Sequence, residues 1–219
     1  VKTVAIVQSC YIPWKGYFDL IGLADEFILY DDRQYTKNDW RNRNRIKTPQ
    51  GAQWLTIPVA HSGRHGQRID EAEALDLRWP AKHWKAIVQN YSRAPFFEEH
   101  AGRFEPLYAT LDDQRLTSIN RRFIDAICDS LGISTPISPS ADFSANGGRS
   151  ERVLSLCLAA GATRYLSGPS ARNYLDSKLF RDAGIEVEFM SYDGYPVYPQ
   201  LYPPFDQAVT ALDLLFNVG

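Results

Sequence analysis

A short apolar run, TVAIVQ (3–8), is followed by a Pro/Gly loop, SCYIPWKGYF, by a helical stretch at 17–24, and by a second apolar run, DEFILYDD (25–32), that ends in two acids. Strand, loop, helix, strand at this length is a βαβ unit, and its right-handed crossover makes the two strands parallel. Parallel strands need cover on both faces, so the rest of the chain must supply helices for two layers.

The alternation continues. QWLTIPV (53–59) reads as a third strand closed by Pro58, and AEALDL (72–77) as a weaker fourth. PAKHWKAIVQNY (80–91) opens with proline at a first helical position. Leu116, Ile119, Phe123, Ile127 and Leu131 recur at three-to-four spacing, which predicts a helix over 116–133 ended by Gly132. The Pro-, Ser- and Gly-rich stretch 133–148 predicts a linker or mobile loop. Helix (149–162), strand (163–168), helix (169–184) and strand (185–193) then alternate again. YPVYPQLYPPFD (195–206) has too many prolines for regular structure, and 206–219 closes the chain as an amphipathic helix. The expectation is one α/β domain over 1–219, a doubly wound, mostly parallel Rossmann-like sheet with an inserted helical segment at about 80–131. Two α/β lobes divided near residue 140 are the alternative.

At 219 residues, with 44% hydrophobic and 23% charged side chains, the chain can bury a sizeable core. Its net charge of -2 gives no general field for nucleic acid, so the local run Arg41, Arg43, Arg45 and Lys47 suits a small anion better than a long polyanion. Cys10, Cys128 and Cys157 lie far apart, with no metal-type spacing and no even disulfide set, so a reducing, cytoplasmic setting is expected. The apolar length of VKTVAIVQSC is too short for a secretory signal, and no run reaches the ~20 residues of a membrane span. No membrane partner is expected.

In an open α/β sheet, ligands bind beyond the carboxyl ends of the strands. Those ends carry Gln8, Asp31, Asp32, Pro58, Ser167 and Gly168. Asp31 and Asp32 can act as a base or hold magnesium, and either also serves as a turn or helix cap. The loop with Tyr11, Trp14 and Tyr17 delivers backbone N–H groups to a helix start, which favours phosphate or carboxylate. Adenylating α/β nucleotidyltransferases carry H-x-G-H at such a turn. Here the letters are Trp14, Lys15, Gly16 and Tyr17, so that analogy supports topology only. In WRNRNRI (40–46), alternation at period two sends the arginines one way and the asparagines the other. Arg43 and Arg45 suit two-pronged binding of phosphate or carboxylate, Asn42 and Asn44 suit sugar hydroxyls or amides, and Trp40 flanks them. His83 is the candidate proton shuttle, although a lone histidine beside Trp84 also serves packing. Ser167 and Gly168 form a second anion-ready turn. No G-x-S-x-G motif marks a serine hydrolase, and no third ligand joins His61 and His65, so no metal site is assigned.

Together these stretches resemble the WbqC-like protein family. The matching segments are QSCYIPWKGYFDLIGLADEFILYDDRQYTKNDWRNRNRI, WLTIPV, KHWKAI with APFF after it, GATRYLSGP, and the closing ALDLLFNVG, in the same order over about 3–219. Ser9 stands where the family's opening Q-P-x-Y has proline. The pattern positions carried over are Gln8, Tyr11, Pro13, Trp14, Gly16, Tyr17, Asp31, Asp32, Asn42, Arg43, Asn44, Arg45, His83, Ser167 and Gly168. The resemblance implies a place among enzymes of bacterial surface-polysaccharide and specialised-metabolite biosynthesis, joining an acyl or aminoacyl group such as glycyl to an amino sugar.

The expected function is therefore acyl or aminoacyl transfer, with amide formation, to an amino-sugar nucleotide or similar small amine. A non-catalytic sugar-nucleotide-binding module of the same pathway is the alternative. His83, Asp32 or Asp31 would take the proton from the attacking ammonium. The donor could be an aminoacyl-tRNA or a carrier-bound group. An adenylating version would need ATP and magnesium, and without a Walker-type loop the cofactor stays open, as does the oligomeric state.

Overall fold

The computed structural model describes residues 1–219. In chain order the elements are β1 (Thr3–Val7), α1 (Lys15–Gly22), β2 (Glu26–Leu29), β3 (Arg43–Thr48), β4 (Gly51–Thr56), α2 (Trp79–Tyr91), α3 (Phe97–Ala109), α4 (Leu116–Ser130), β5 (Ile137–Pro139), α5 (Arg149–Ala159), β6 (Arg164–Ser167), α6 (Ser177–Asp182), β7 (Glu186–Phe189) and α7 (Ala211–Val218). They gather into two compact units. The first takes Val1–Gln8, Gly16–Asp32 and Ile133–Tyr195; the second takes Ser9–Lys15, Arg33–Gly132 and Pro196–Gly219. No helix is long and apolar enough to cross a membrane.

The first unit is built on a five-stranded sheet in the order β5-β2-β1-β6-β7. Every neighbouring pair is parallel. Numbering only these strands along the chain, the order reads 3-2-1-4-5, the doubly wound Rossmann-like arrangement, and the winding reverses between β1 and β6. Val4, Ile6 and Ile28 pack with Leu156, Cys157 and Phe180 from α5 and α6. Strand alternation turns Phe27 to the other face, where its ring centroid lies 5.3 Å from that of Tyr17 on α1. Central β1 is buried along its first four residues, as a strand covered on both sides must be.

The proline-rich stretch after residue 133 is not simply a loop. Ile137–Pro139 pairs with β2 as the sheet's outer strand, where a proline is tolerated because no further strand needs its N–H. The single helix expected at 169–184 is a 3-10 turn (Pro169–Asn173) followed by α6, whose start is capped by Asp176 accepting from the Lys178 and Leu179 amides.

The second unit holds the β3–β4 hairpin and the helices α2, α3, α4 and α7. QWLTIPV does not join the parallel sheet. It supplies β4, which pairs antiparallel with β3. Only Pro49 and Gln50 separate the strands, far too few for a parallel crossover, and Gly51 at φ 105 accepts the turn conformation. AEALDL forms no strand and contributes single bridges, Val59 to Ala74 and Glu73 to Arg115. In α4, Leu116, Ile119, Phe123 and Ile127 are buried as their spacing predicts, and Gly132 follows the helix at φ 68. The core here is aromatic, with Phe216 of α7 in contact with Tyr91, Phe97 and Phe104. All three cysteines are buried and none forms a disulfide.

Candidate functional site

In the first unit, the carboxyl edge of the sheet collects Gln8 after β1, Asp31 and Asp32 after β2, and Ser167 with Gly168 at β6. Gln8 and Ser167 flank the position where the winding reverses. The Gln8 carbonyl accepts from the Tyr17 hydroxyl at 3.2 Å. Ser167 is buried, its Oγ 3.1 Å from the Tyr165 hydroxyl. Asp32 forms an ion pair with Arg152 and accepts from Ser140 Oγ at 2.9 Å. Arg152 also donates to the Ala145 carbonyl at 2.5 Å. The Asp32 carboxylate thus fastens the 140–145 stretch and α5 to the end of β2. Asp31, next to it, is only 4% exposed. No three His, Cys, Asp or Glu side chains gather closely enough to hold a metal ion.

In the second unit, His83 on α2 is buried in an aromatic nest. Its Nδ1 lies 2.9 Å from the Tyr11 hydroxyl, which lies 2.9 Å from the Tyr108 hydroxyl. Trp79 packs edge-on to the imidazole at 5.1 Å. Burial pushes the imidazole down to about 4, against the opposing pull of the Thr56 backbone. Burial also raises both tyrosines, so their hydroxyls remain donors. A neutral ring has one N–H. With that proton toward Thr56, Nδ1 accepts from Tyr11, and Tyr11 accepts from Tyr108.

The alternation read from WRNRNRI is realised in the hairpin. Asn42 and Asn44 point inward and are nearly inaccessible. Asn42 Nδ2 donates to the Ile57 carbonyl at 2.8 Å. Asn44 Nδ2 donates to the Tyr11 carbonyl at 3.2 Å and the Ile12 carbonyl at 3.0 Å, while its Oδ1 accepts from the Arg45 amide at 2.8 Å. Ile12 is held at φ 36, a costly conformation for a β-branched residue. The asparagines are therefore tied to backbone, and Asn44 secures the strained opening loop. Asn44→Ala should cost about 2 kcal/mol, because it leaves two carbonyls and an amide without this partner. Urea unfolding checks this; a loss below a few tenths of a kcal/mol would show that the loop holds itself.

Arg43 and Arg45 turn outward. The Arg43 guanidinium carbon stands 4.1 Å from the centre of the Trp54 ring, and that of Arg45 stands 5.6 Å from it. Trp40 lies 5.3 Å from Trp54, and both indoles are more than 40% exposed. Trp14 bridges Thr210 ahead of α7. In α7 itself, buried Asp213 accepts from Tyr91, Tyr198 and Gln200 at 2.7 to 2.9 Å.

The structure thus brings Tyr11 and His83 together, and sets Trp40, Arg43 and Arg45 each beside Trp54. It sets Gln8, Asp31, Asp32, Ser167 and Gly168 along one sheet edge of the other unit. Sequence reading missed Trp54, Tyr108, Arg152 and Asp213. Trp54 becomes visible only once the hairpin register sets it opposite Arg45. Asp213 did leave a signal, as one acid inside the apolar run ALDLLF.

The model of the WbqC-like protein family matches residues 8–219. Uncharacterized protein Rv1507c of Mycobacterium tuberculosis is 53% identical over 218 residues, covering 100% of this chain and 94% of that protein. No solved structure matches. Together with the opening loop, the hairpin and the closing helix, which all lie within the matched span, this establishes that the chain belongs to the WbqC-like protein family.

Proposed function

We propose that this chain is an amide-forming enzyme that transfers an acyl or aminoacyl group to an amino-sugar nucleotide or similar small amine, in bacterial surface-polysaccharide or specialised-metabolite biosynthesis. The observation that carries this reading is the polar carboxyl edge of the 3-2-1-4-5 sheet, where Gln8, Asp31, Asp32, Ser167 and Gly168 meet the position at which such sheets hold ligands. The reaction joins the amine nitrogen to the donor carbonyl carbon and breaks that carbon's bond to its leaving group. An ammonium must first lose a proton, and a carboxylate at the edge is suited to take it. The reading assigns the proton to Asp31, buried at that edge beside Asp32. Within the second unit, His83 acts on Tyr11 and the opening loop. Should the donor be activated by adenylation, ATP is consumed as well, and magnesium is required as the counter-ion of its phosphates.

Protein incubated with an amino-sugar nucleotide, glycine and ATP, or with glycyl-tRNA, is expected to yield the amide, with pyrophosphate or ADP in the ATP arm. Asp31→Asn should lower kcat about 100-fold with little change in KM. No product across a broad donor and acceptor panel would sink the assignment. A second reading, a non-catalytic module that presents a sugar nucleotide, is favoured by the structural partners already engaging Asp32 and His83. It expects ligand binding that survives Asp32→Ala and His83→Ala with little change, and no product.

A further inference from the structure

The outer face of the β3–β4 hairpin carries an arrangement that amide formation does not require. Arg45 sits directly opposite Trp54 in the antiparallel register, and Arg43 is its diagonal neighbour. Both guanidiniums lie against the Trp54 ring, which in turn lies beside Trp40. Trp54 is 41% exposed and Trp40 43%, on a chain that buries most of its large apolar side chains. Elsewhere, Arg68, Arg78, Arg103, Arg115, Arg121, Arg152 and Arg164 all pair with carboxylates. Arg43 is half-buried and has neither an ion pair nor a hydrogen bond, its Nε being enclosed without a partner. Arg45 spends one bond on the Ala208 carbonyl, and its Nε is likewise enclosed without a partner. Two uncompensated cations fixed under an open indole surface recognise a flat ring and an anion at once.

We infer that Trp54, Trp40, Arg43 and Arg45 form a binding platform for a nucleoside diphosphate, the base stacking on the indoles and the phosphates taking the free guanidinium edges. A sugar alone would use the indoles and leave both cations unmatched. A long polyanion would need a broader basic field than a chain of net charge -2 supplies. This inference rests on the reading of the substrate as nucleotide-linked, and adds which part of it the hairpin holds and that Trp54 is the stacking residue.

The test is binding without turnover, by tryptophan fluorescence and calorimetry on the full chain, so its outcome is separate from that of the transferase assay. UDP and ADP are titrated beside uridine, inorganic pyrophosphate and an eight-nucleotide single-stranded RNA. Both diphosphates should quench the emission and bind at least about tenfold more tightly than uridine or pyrophosphate. Trp54→Ala and Arg43→Ala should each weaken UDP about tenfold, and Trp54→Phe should restore most of the loss. Circular dichroism confirms that each variant is folded, and the second variant stands in if one is not. The inference is overturned if pyrophosphate binds as well as UDP, if Trp54→Ala leaves UDP affinity unchanged, or if the RNA binds more tightly than UDP. Should UDP bind as described while the assay yields no amide, the platform stands and the transferase reading falls.

Discussion

Taking the protein from pH 7 to pH 4 is expected to remove about 3 kcal/mol of stability through His83 alone. The folded imidazole is held at about 4 by burial, whereas in the unfolded chain it titrates near ~6.5. Between those values the unfolded state binds a proton that the folded state refuses. The contribution of the neutral ring is therefore complete above the unfolded value. It is lost as the pH falls through the window, and no more is lost once both states are protonated. His83 is only 6% exposed, so solvent screening reduces the effect little. His100 is also lowered by burial and adds a loss of the same sign, so the comparison must be made between variants. His83→Gln keeps a donor and an acceptor near Tyr11 and Thr56 without the titration. Its urea midpoints at pH 7, 6, 5 and 4 should show a shallower decline than the parent's. Equal declines in the two proteins would remove His83 from the account. At neutral pH the consequence is local order. An uncharged ring accepts from Tyr11, Tyr11 accepts from Tyr108, and the opening loop keeps its place.

Asp213→Ala is the second large effect, expected to cost about 3 kcal/mol at neutral pH. The carboxylate is fully buried and accepts from the Tyr91 hydroxyl, the Tyr198 hydroxyl and Gln200 Nε2. Alanine would leave all three donors without this acceptor. The loss is moderated because the charge itself is costly here: burial raises Asp213 above its ordinary value, even with those three bonds opposing the shift. Since the folded state then holds the proton more tightly than the unfolded state, Asp213 becomes less of a burden as the pH falls through its raised value. That trend has the opposite sign to that of His83. Asp213→Asn removes the charge, keeps the shape and one acceptor, and should cost less than half as much as alanine. The network also orders the proline-rich segment. Tyr198 and Gln200 bind Asp213, Gln200 Nε2 donates to the Asp206 carbonyl, and Lys47 Nζ donates to the Pro204 carbonyl. Limited proteolysis should therefore cut 196–206 faster in Asp213→Ala. A stability loss under about 1 kcal/mol, with unchanged cleavage, would show that the segment is held by packing instead.

The parallel Rossmann-like sheet was legible because its strands β1, β2, β6 and β7 are adjacent to their crossover helices in sequence, and each burial pattern is local. Gln8, Asp31, Asp32, Ser167 and Gly168 on the carboxyl edge were legible for the same reason, since the end of a strand is a sequence position, whereas Pro58 was misplaced there because its strand pairs in the β3–β4 hairpin instead. The arginine and asparagine alternation also followed from the two-residue period of a strand, whichever sheet that strand joins. What each face of that strand meets was not legible. Asn44 reads as a ligand contact until Tyr11 and Ile12 are seen to bring their carbonyls to it, from more than 30 residues away. β5 was hidden by its prolines, because local propensity argues against a strand that only pairing with β2 makes favourable. His83 shows the same division. Its place on an amphipathic helix is a local fact, but whether it carries charge depends on Tyr11, Tyr108 and Trp79, and only the tertiary structure excludes water from the ring. The chain thus determined by itself where β1, β2, β6 and β7 lie and which faces alternate, which are short-range properties. Partner choice and protonation depend on desolvation by residues distant in sequence, and only the folded structure decided them.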